Sequence, residues 1–288
     1  MMDRRKFVKG AVSIAAINAF DLTQLNAGVL GGSKKISIVN TASVYEREKL
    51  IRPFGFKGGY LTELWQTVSN ITSASGISKT GIATQSVLYG DADLFSMHSE
   101  ASGNLMMHKL THKALEMVRQ TSFYTPVDLL DKILPEVVLE GKRITGKSDL
   151  NTNFIYNALV SVDNAAWLVY AAENKFKSFE TMIPEPYKEA LSHRNDKIAV
   201  MYQIPYGMPM HDLLEATSKG YFVFKIKTGS PGTQSEMLKA DMERLSLIHN
   251  TLKDLRTENT SNGKLIYTMD ANARYEKKES LLKYLDHA

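Results

Sequence analysis

Tyr221-Phe-Val-Phe-Lys-Ile-Lys-Thr-Gly229 sets two lysines, two residues apart, inside an apolar run. Side chains alternate along a strand, so Phe222, Phe224 and Ile226 share one face and Val223, Lys225 and Lys227 the other. The run Leu265-Ile-Tyr-Thr-Met-Asp-Ala-Asn-Ala273 behaves similarly and ends with Asp270 and Asn272 on one face. Around these two runs the pattern is strand, helix, strand: Ile198 to Ile204, Met210 to Lys219, Tyr221 to Lys227, Glu236 to Leu255, Leu265 to Met269 and Lys277 to Asp286. Alternating βα units imply parallel strands. A complete eightfold barrel takes about 31 residues per unit, so residues 197–288 hold about three units, the start of a TIM-type barrel. The last helix, from Ser280, has neither a C-cap glycine nor a following strand, and the spacing predicts an architecture that stops part-way.

Working toward the N-terminus, Pro184, Pro186 and the charged stretch Lys188 to Lys197 predict a boundary. Before it, Phe154 to Phe176 and His98 to Leu139 are helical in pattern, with Pro126 after Thr125 opening a new helix. Lys34 to Ser43, Glu63 to Ser73 and Gly81 to Leu88 are rich in β-formers and predict a small antiparallel sheet. Strands followed by a helical block read as an α+β domain over residues 31–190, ahead of the partial barrel at 197–288. Between the first two strands, Arg52-Pro-Phe-Gly-Phe-Lys-Gly-Gly59 reads as a mobile loop able to close over a ligand, with Arg52, Phe54, Phe56 and Lys57 as its candidate contacts.

Residues 1–30 read as an export signal and linker. Arg4 and Arg5 are adjacent, Phe7 and Lys9 follow, and the apolar run Ala11 to Phe20 is too short to span a bilayer. This resembles a twin-arginine signal, which implies a partner in the twin-arginine export machinery and a periplasmic or otherwise exported location. Over the whole chain 43% hydrophobic residues supply a core, and the formal charge of +4 comes without a Lys/Arg block interleaved with aromatics, so nucleic acid is not an expected partner. With no cysteine, thiolate catalysis and Cys-based zinc sites are excluded. His108 and His112 have the spacing of a zinc pair but no intervening acid, and read as surface or packing residues. Trp65 and Trp167 read as core.

Two cations on one strand face at the C-terminal end of a barrel strand depress each other's pKa, and burial does the same, so a lysine there can act as a base near neutral pH. Asp270, at the end of the next strand, suits a hard cation. Together, Lys-Ile-Lys at 225–227 and Asp-Ala-Asn at 270–272 behind an α+β cap resemble the mandelate racemase and muconate lactonizing branch of the enolase superfamily, including its L-alanine-DL-glutamate epimerase-like members. That resemblance implies Mg²⁺-dependent removal of the proton α to a substrate carboxylate, by a racemase, epimerase or cycloisomerase, with a dipeptide epimerase as nominal choice and an acid-sugar dehydratase as the alternative. It makes Lys227 the base, Lys225 its partner on the substrate carboxylate, Asp270 the first magnesium ligand and Asn272 a neighbour of the metal. It also sets Arg52 to Gly59 as the first loop over the barrel mouth, with Gly81 to Asp93 near the second, and implies a homo-oligomer. The family's remaining metal carboxylates lie on later strands, so this chain is expected to be inactive alone. A non-catalytic fragment or an exported binding protein is the competing reading.

Overall fold

The computed structural model describes residues 33–56 and 59–288. The proposed signal, including Arg4 and Arg5, lies outside the described residues, as do Lys57 and the side chains of Arg52 and Phe56. The chain divides into two compact units: one of residues up to Glu46, Trp65–Gln85 and Leu105–Arg194, the other of Arg47–Leu64, Ser86–Asn104 and Asn195–Ala288.

The first sheet has the order β1 (Ile38–Phe56), β2 (Gly59–Ser73), β3 (Ser78–Gln85), with β2 and β3 antiparallel in register from Trp65 opposite Gln85 to Thr72 opposite Ser78. After β3 come α1 (Val87–Gly90), α2 (Ala92–Met97), α3 (Glu100–Gln120), α4 (Pro126–Thr145) and α5 (Thr152–Glu173). Helix α4 begins where the sequence predicts, with Thr125 accepting from the Asp128 amide and Pro126 in the first turn, and it stops at Gly146, whose φ of 68° is the left-handed cap that glycine adopts without a Cβ clash.

In the first unit every second residue of β2 from Trp65 to Ser73 is buried, and the inward set Trp65, Thr67, Ser69, Ile71, Ser73 is mostly small. Small residues let a helix approach closely. The Ser69 hydroxyl lies 2.8 Å from that of Ser161 on α5, and an added Cβ at Gly81 of β3 would sit 2.1 Å from the Ser161 carbonyl oxygen. The Asn157 and Asn164 amides of α5 donate to the carbonyls of Thr84 and Ile82, so the outer edge of β3 is occupied rather than open to another strand.

Three expectations are corrected. The described part of the predicted loop, Arg52 to Phe56, is strand: β1 runs through Pro53 to Phe56, and β2 begins at Gly59. Proline is compatible with a strand when that strand is at an edge, and β1 is the edge of its sheet. Likewise Val87 and Leu88, predicted as strand, are helical and buried at 0% and 5% exposure, so packing overrides their β-propensity. His108 and Trp65 are packing residues as expected: His108 Nε2 meets the Ser43 hydroxyl at 3.1 Å, and Trp65 stacks on Tyr45 at 4.2 Å between centroids. Trp167 is half-buried rather than core.

In the second unit β4 (Met201–Ile204), β5 (Val223–Lys227) and β6 (Ile266–Asp270) form a parallel sheet in that order. Helices α7 (Met210–Ser218) and α8 (Gln234–Leu252) connect them and α9 (Lys278–His287) follows. A short helix, α6 (Phe179–Met182), and a 3-10 turn at Glu185–Tyr187 close the first unit. Phe224 and Ile226 pack with Leu213, Ala216, Leu245, Ile248 and Leu252 of the helices, so the apolar face of β5 is its helix-facing side, as its alternation predicts. Helix α8 is started by a capping box between Thr233 and Glu236. Three parallel strands with their helices match the three βα units expected. Among the described residues no helix is long and apolar enough to cross a membrane.

Candidate active site

The residues singled out by sequence meet at the C-terminal ends of β5 and β6. Lys227 and Asp270 are partners in the parallel register, and Lys225 is two residues earlier on the same face. The Lys225 ammonium, one-third exposed, sits 2.7 Å from Asp270 Oδ2. Asp270 Oδ1 accepts from the Asn272 backbone amide at 3.0 Å, closing a turn in which Asn272 and Ala273 both take positive φ, 44° and 57°. Asn272 therefore shapes the strand end through its backbone, while its side-chain Oδ1 is buried with no hydrogen-bond partner among the described residues. Burial alone would raise the Asp270 pKa, but the Lys225 hydrogen bond, the Asn272 amide and the charge of Lys227 together hold it below the ordinary carboxylate value.

Lys227 is 1% exposed, and its ammonium lies 4.6 Å from the centroid of the Phe54 ring. Burial disfavours its charge, Asp270 opposes that, and Lys225 and Arg274 add like-charge repulsion, bringing its pKa down to about 8. The strand thus holds two lysines of different character: Lys225 paired to a carboxylate, Lys227 enclosed and inclined to lose its proton. Replacing each neighbour separates the causes. Lys225→Met is expected to raise the Lys227 pKa and Asp270→Asn to lower it, each by about one pH unit. The pH dependence of Lys227 acylation, read by peptide mass spectrometry, checks this, and movement of both variants in the same direction would refute it.

Of the loop candidates, Phe54 does reach the site; nothing is described for the side chains of Arg52, Phe56 and Lys57. The structure adds residues that sequence reading missed. Tyr89 in α1 lies within electrostatic reach of Lys225. Tyr206, Asp241, Arg244 and Tyr275 tie down the backbone around Lys227. One signal for Asp241 was present: it stands between Met237 and Leu245 at helical spacing, an acid on the apolar face of α8.

Among the described residues no group of three His, Cys, Asp or Glu side chains is placed to hold a metal. Among the described residues Asp270 is the one candidate carboxylate at the strand ends, and a single carboxylate already paired with Lys225 does not make a magnesium site.

No family model matches the sequence, and no curated protein matches it. Solved structures do. A dipeptide epimerase from Cytophaga hutchinsonii, complexed with Mg and the dipeptide D-Ala-L-Val, aligns over 87% of this chain and 56% of its own at a TM-score of 0.54 and 16% identity. A mandelate racemase/muconate lactonizing enzyme from Bordetella bronchiseptica RB50 aligns over 88% of this chain and 56% of its own, at 0.57 and 12%. The L-talarate dehydratase from Polaromonas sp. JS666, complexed with Mg and L-glucarate, aligns over 88% and 58%, at 0.55 and 16%. These are enolase-superfamily proteins, and this chain has their fold over somewhat more than half of their length.

Proposed function

We propose that this chain carries the proton-abstracting half of an enolase-superfamily active site, with Lys227 as the base that removes the proton α to a substrate carboxylate. The observation that supports it is the pair of lysines on one face of β5 beside Asp270 at the end of β6, with Lys227 buried at 1% exposure. A carbon acid next to a carboxylate yields its proton only where a base is neutral and the resulting enediolate meets positive charge. Lys227 supplies the first. Lys225 is the cation closest to hand for the substrate carboxylate, and to take that role its ammonium must leave Asp270. Magnesium, which the Cytophaga and Polaromonas proteins carry, would use Asp270 as one ligand only together with carboxylates that the described residues do not offer.

The nominal reaction is epimerisation of a dipeptide, with acid-sugar dehydration as the alternative within the same fold. The test is α-proton exchange in deuterated water with magnesium present. The 288-residue chain alone is expected to give none. A hybrid continuing into the later βα units of the Cytophaga epimerase, shown first to melt cooperatively, is expected to exchange the α-proton of dipeptides and not that of glucarate. Exchange on glucarate alone would favour the dehydratase, and exchange on neither carboxylate would overturn the proposal.

A second reading is favoured by one contact: at 2.7 Å the Lys225–Asp270 ion pair already neutralises the carboxylate a metal would need, as in a protein that no longer catalyses. We further propose export by the twin-arginine route. Changing Arg4 and Arg5 together to lysine is expected to hold the protein in the cytoplasm, as cell fractionation would show; unchanged export would refute the signal.

A further inference from the structure

Helix α8 carries two charged residues one turn apart, Asp241 and Arg244, that make no ion pair with a side chain of the site yet are bonded to its backbone on all sides. The Arg244 guanidinium, half-buried, donates to three carbonyls: Lys227 at 2.5 Å through Nη1, and Ile204 at 3.0 Å and Pro205 at 2.7 Å through Nη2. One planar fork thus joins the ends of β4 and β5. Asp241, 2% exposed, accepts four hydrogen bonds: from the amides of Gly229 at 2.6 Å and Ser230 at 3.1 Å, from the Ser230 hydroxyl at 2.6 Å, and from the Tyr275 hydroxyl at 2.7 Å in the segment after β6. Tyr206, in the segment after β4, donates to the carbonyls of Thr228 at 2.5 Å and Gly229 at 3.0 Å.

The backbone they hold admits little else. Gly229 has φ +87°, and a Cβ there would come within 2.8 Å of the Arg274 side chain. A buried carboxylate is stabilised only when donors meet its lone pairs, and Asp241 has four of them, all from the two segments that leave the site strands.

We propose that Asp241 and Arg244 are positioning residues for Lys227: by fixing the ends of β4 and β5 and the segments that follow β5 and β6, they keep the Lys227 ammonium enclosed at the strand end beside Asp270. Its relevance to catalysis rests on the assignment of Lys227 as base, but the positioning itself is measurable without any activity. The conservative change Arg244→Lys keeps the charge while losing the fork, since a single ammonium cannot span three carbonyls in two strands.

The experiment is trace acetylation of the full chain at fixed pH, with the extent at Lys227 compared by mass spectrometry with that at Lys225 on the same strand and at Lys147, whose side chain is 15% exposed in the other unit. In Arg244→Lys and Asp241→Asn, acetylation of Lys227 relative to Lys225 is expected to rise about tenfold, the effect of losing one charge-assisted bond on local opening, while Lys147 stays unchanged. A rise at Lys227 matched by Lys147 would mean general unfolding and would overturn the proposal. So would an unchanged Lys227 ratio alongside faster amide hydrogen exchange at Gly229 and Ser230. Should Arg244→Lys fail to fold, Tyr275→Phe removes one donor to Asp241 and is expected to give a smaller rise of about threefold. Because acetylation reports enclosure and not proton transfer, this proposal and the base assignment fail on separate measurements.

Discussion

Gly81→Ala is expected to lower the stability of the first unit by about 3 kcal/mol, the upper end of the usual cost of overpacking, and Gly81→Val to leave that unit unfolded. The reason lies in what the new methyl would meet: the Ser161 carbonyl oxygen at 2.1 Å and the Ala165 backbone nitrogen at 2.4 Å. Both are backbone atoms of α5, so no rotamer change relieves the overlap. The helix itself would have to move. It is held against β3 by the Asn157 and Asn164 amides and by the Ser69 and Ser161 hydroxyls, and its inner face, from Phe154 to Tyr170, is buried. Gly76 serves as control. Its φ is +90° but nothing lies within 4 Å of a Cβ there, so Gly76→Ala carries only the left-handed strain of about 1 kcal/mol. The protein has two tryptophans, and Trp65 and Trp167 both belong to the first unit, so urea titration followed by tryptophan fluorescence reports this unit directly. A Gly81→Ala midpoint equal to that of the Gly76 control would show that β3 and α5 are not packed this closely.

The same contact shows where sequence reading stops. Local signals carried well: Thr125, Pro126 and Gly146 bracket α4, and the alternation in Tyr221 to Lys227 separates a helix-facing side from a side bearing lysines. These features depend on neighbours a few residues away. Gly81 carries no such signal, because its importance comes from Ser161 and Ala165, some eighty residues later. Pro53 and the glycines around it signalled a loop, and only the position of β1 at a sheet edge makes a strand there possible. At the site, the faces of Lys225, Lys227 and Asp270 were legible, but which lysine meets the carboxylate depends on the stagger of two strands. Lys227 is Asp270's register partner, yet Lys225 makes the ion pair. The bonds of Arg244 to Ile204 and Pro205 link positions about forty apart and could not be read from any local pattern.

In the hybrid that supplies the later barrel strands, Lys227→Ala is expected to reduce α-proton exchange by about a thousandfold, within the range that a positioned general base contributes. With a pKa near 8, about a quarter of Lys227 is neutral at pH 7.5, against about a thousandth for an ordinary lysine. Enclosure and like charge therefore make a base available near neutral pH, and the rate should rise with pH and level off above about 8 as the neutral form fills. Lys227→Arg separates the base from the cation. It retains positive charge and most of the packing against Phe54, but a guanidinium does not give up its proton in this range, so exchange should be as low as in the alanine variant. If Lys227→Arg instead kept most of the activity, the residue would be acting through its charge, and the base would have to be sought elsewhere. Full exchange in Lys227→Ala would remove Lys227 from the chemistry altogether and leave its enclosure by the β5 and β6 ends as a matter of packing alone.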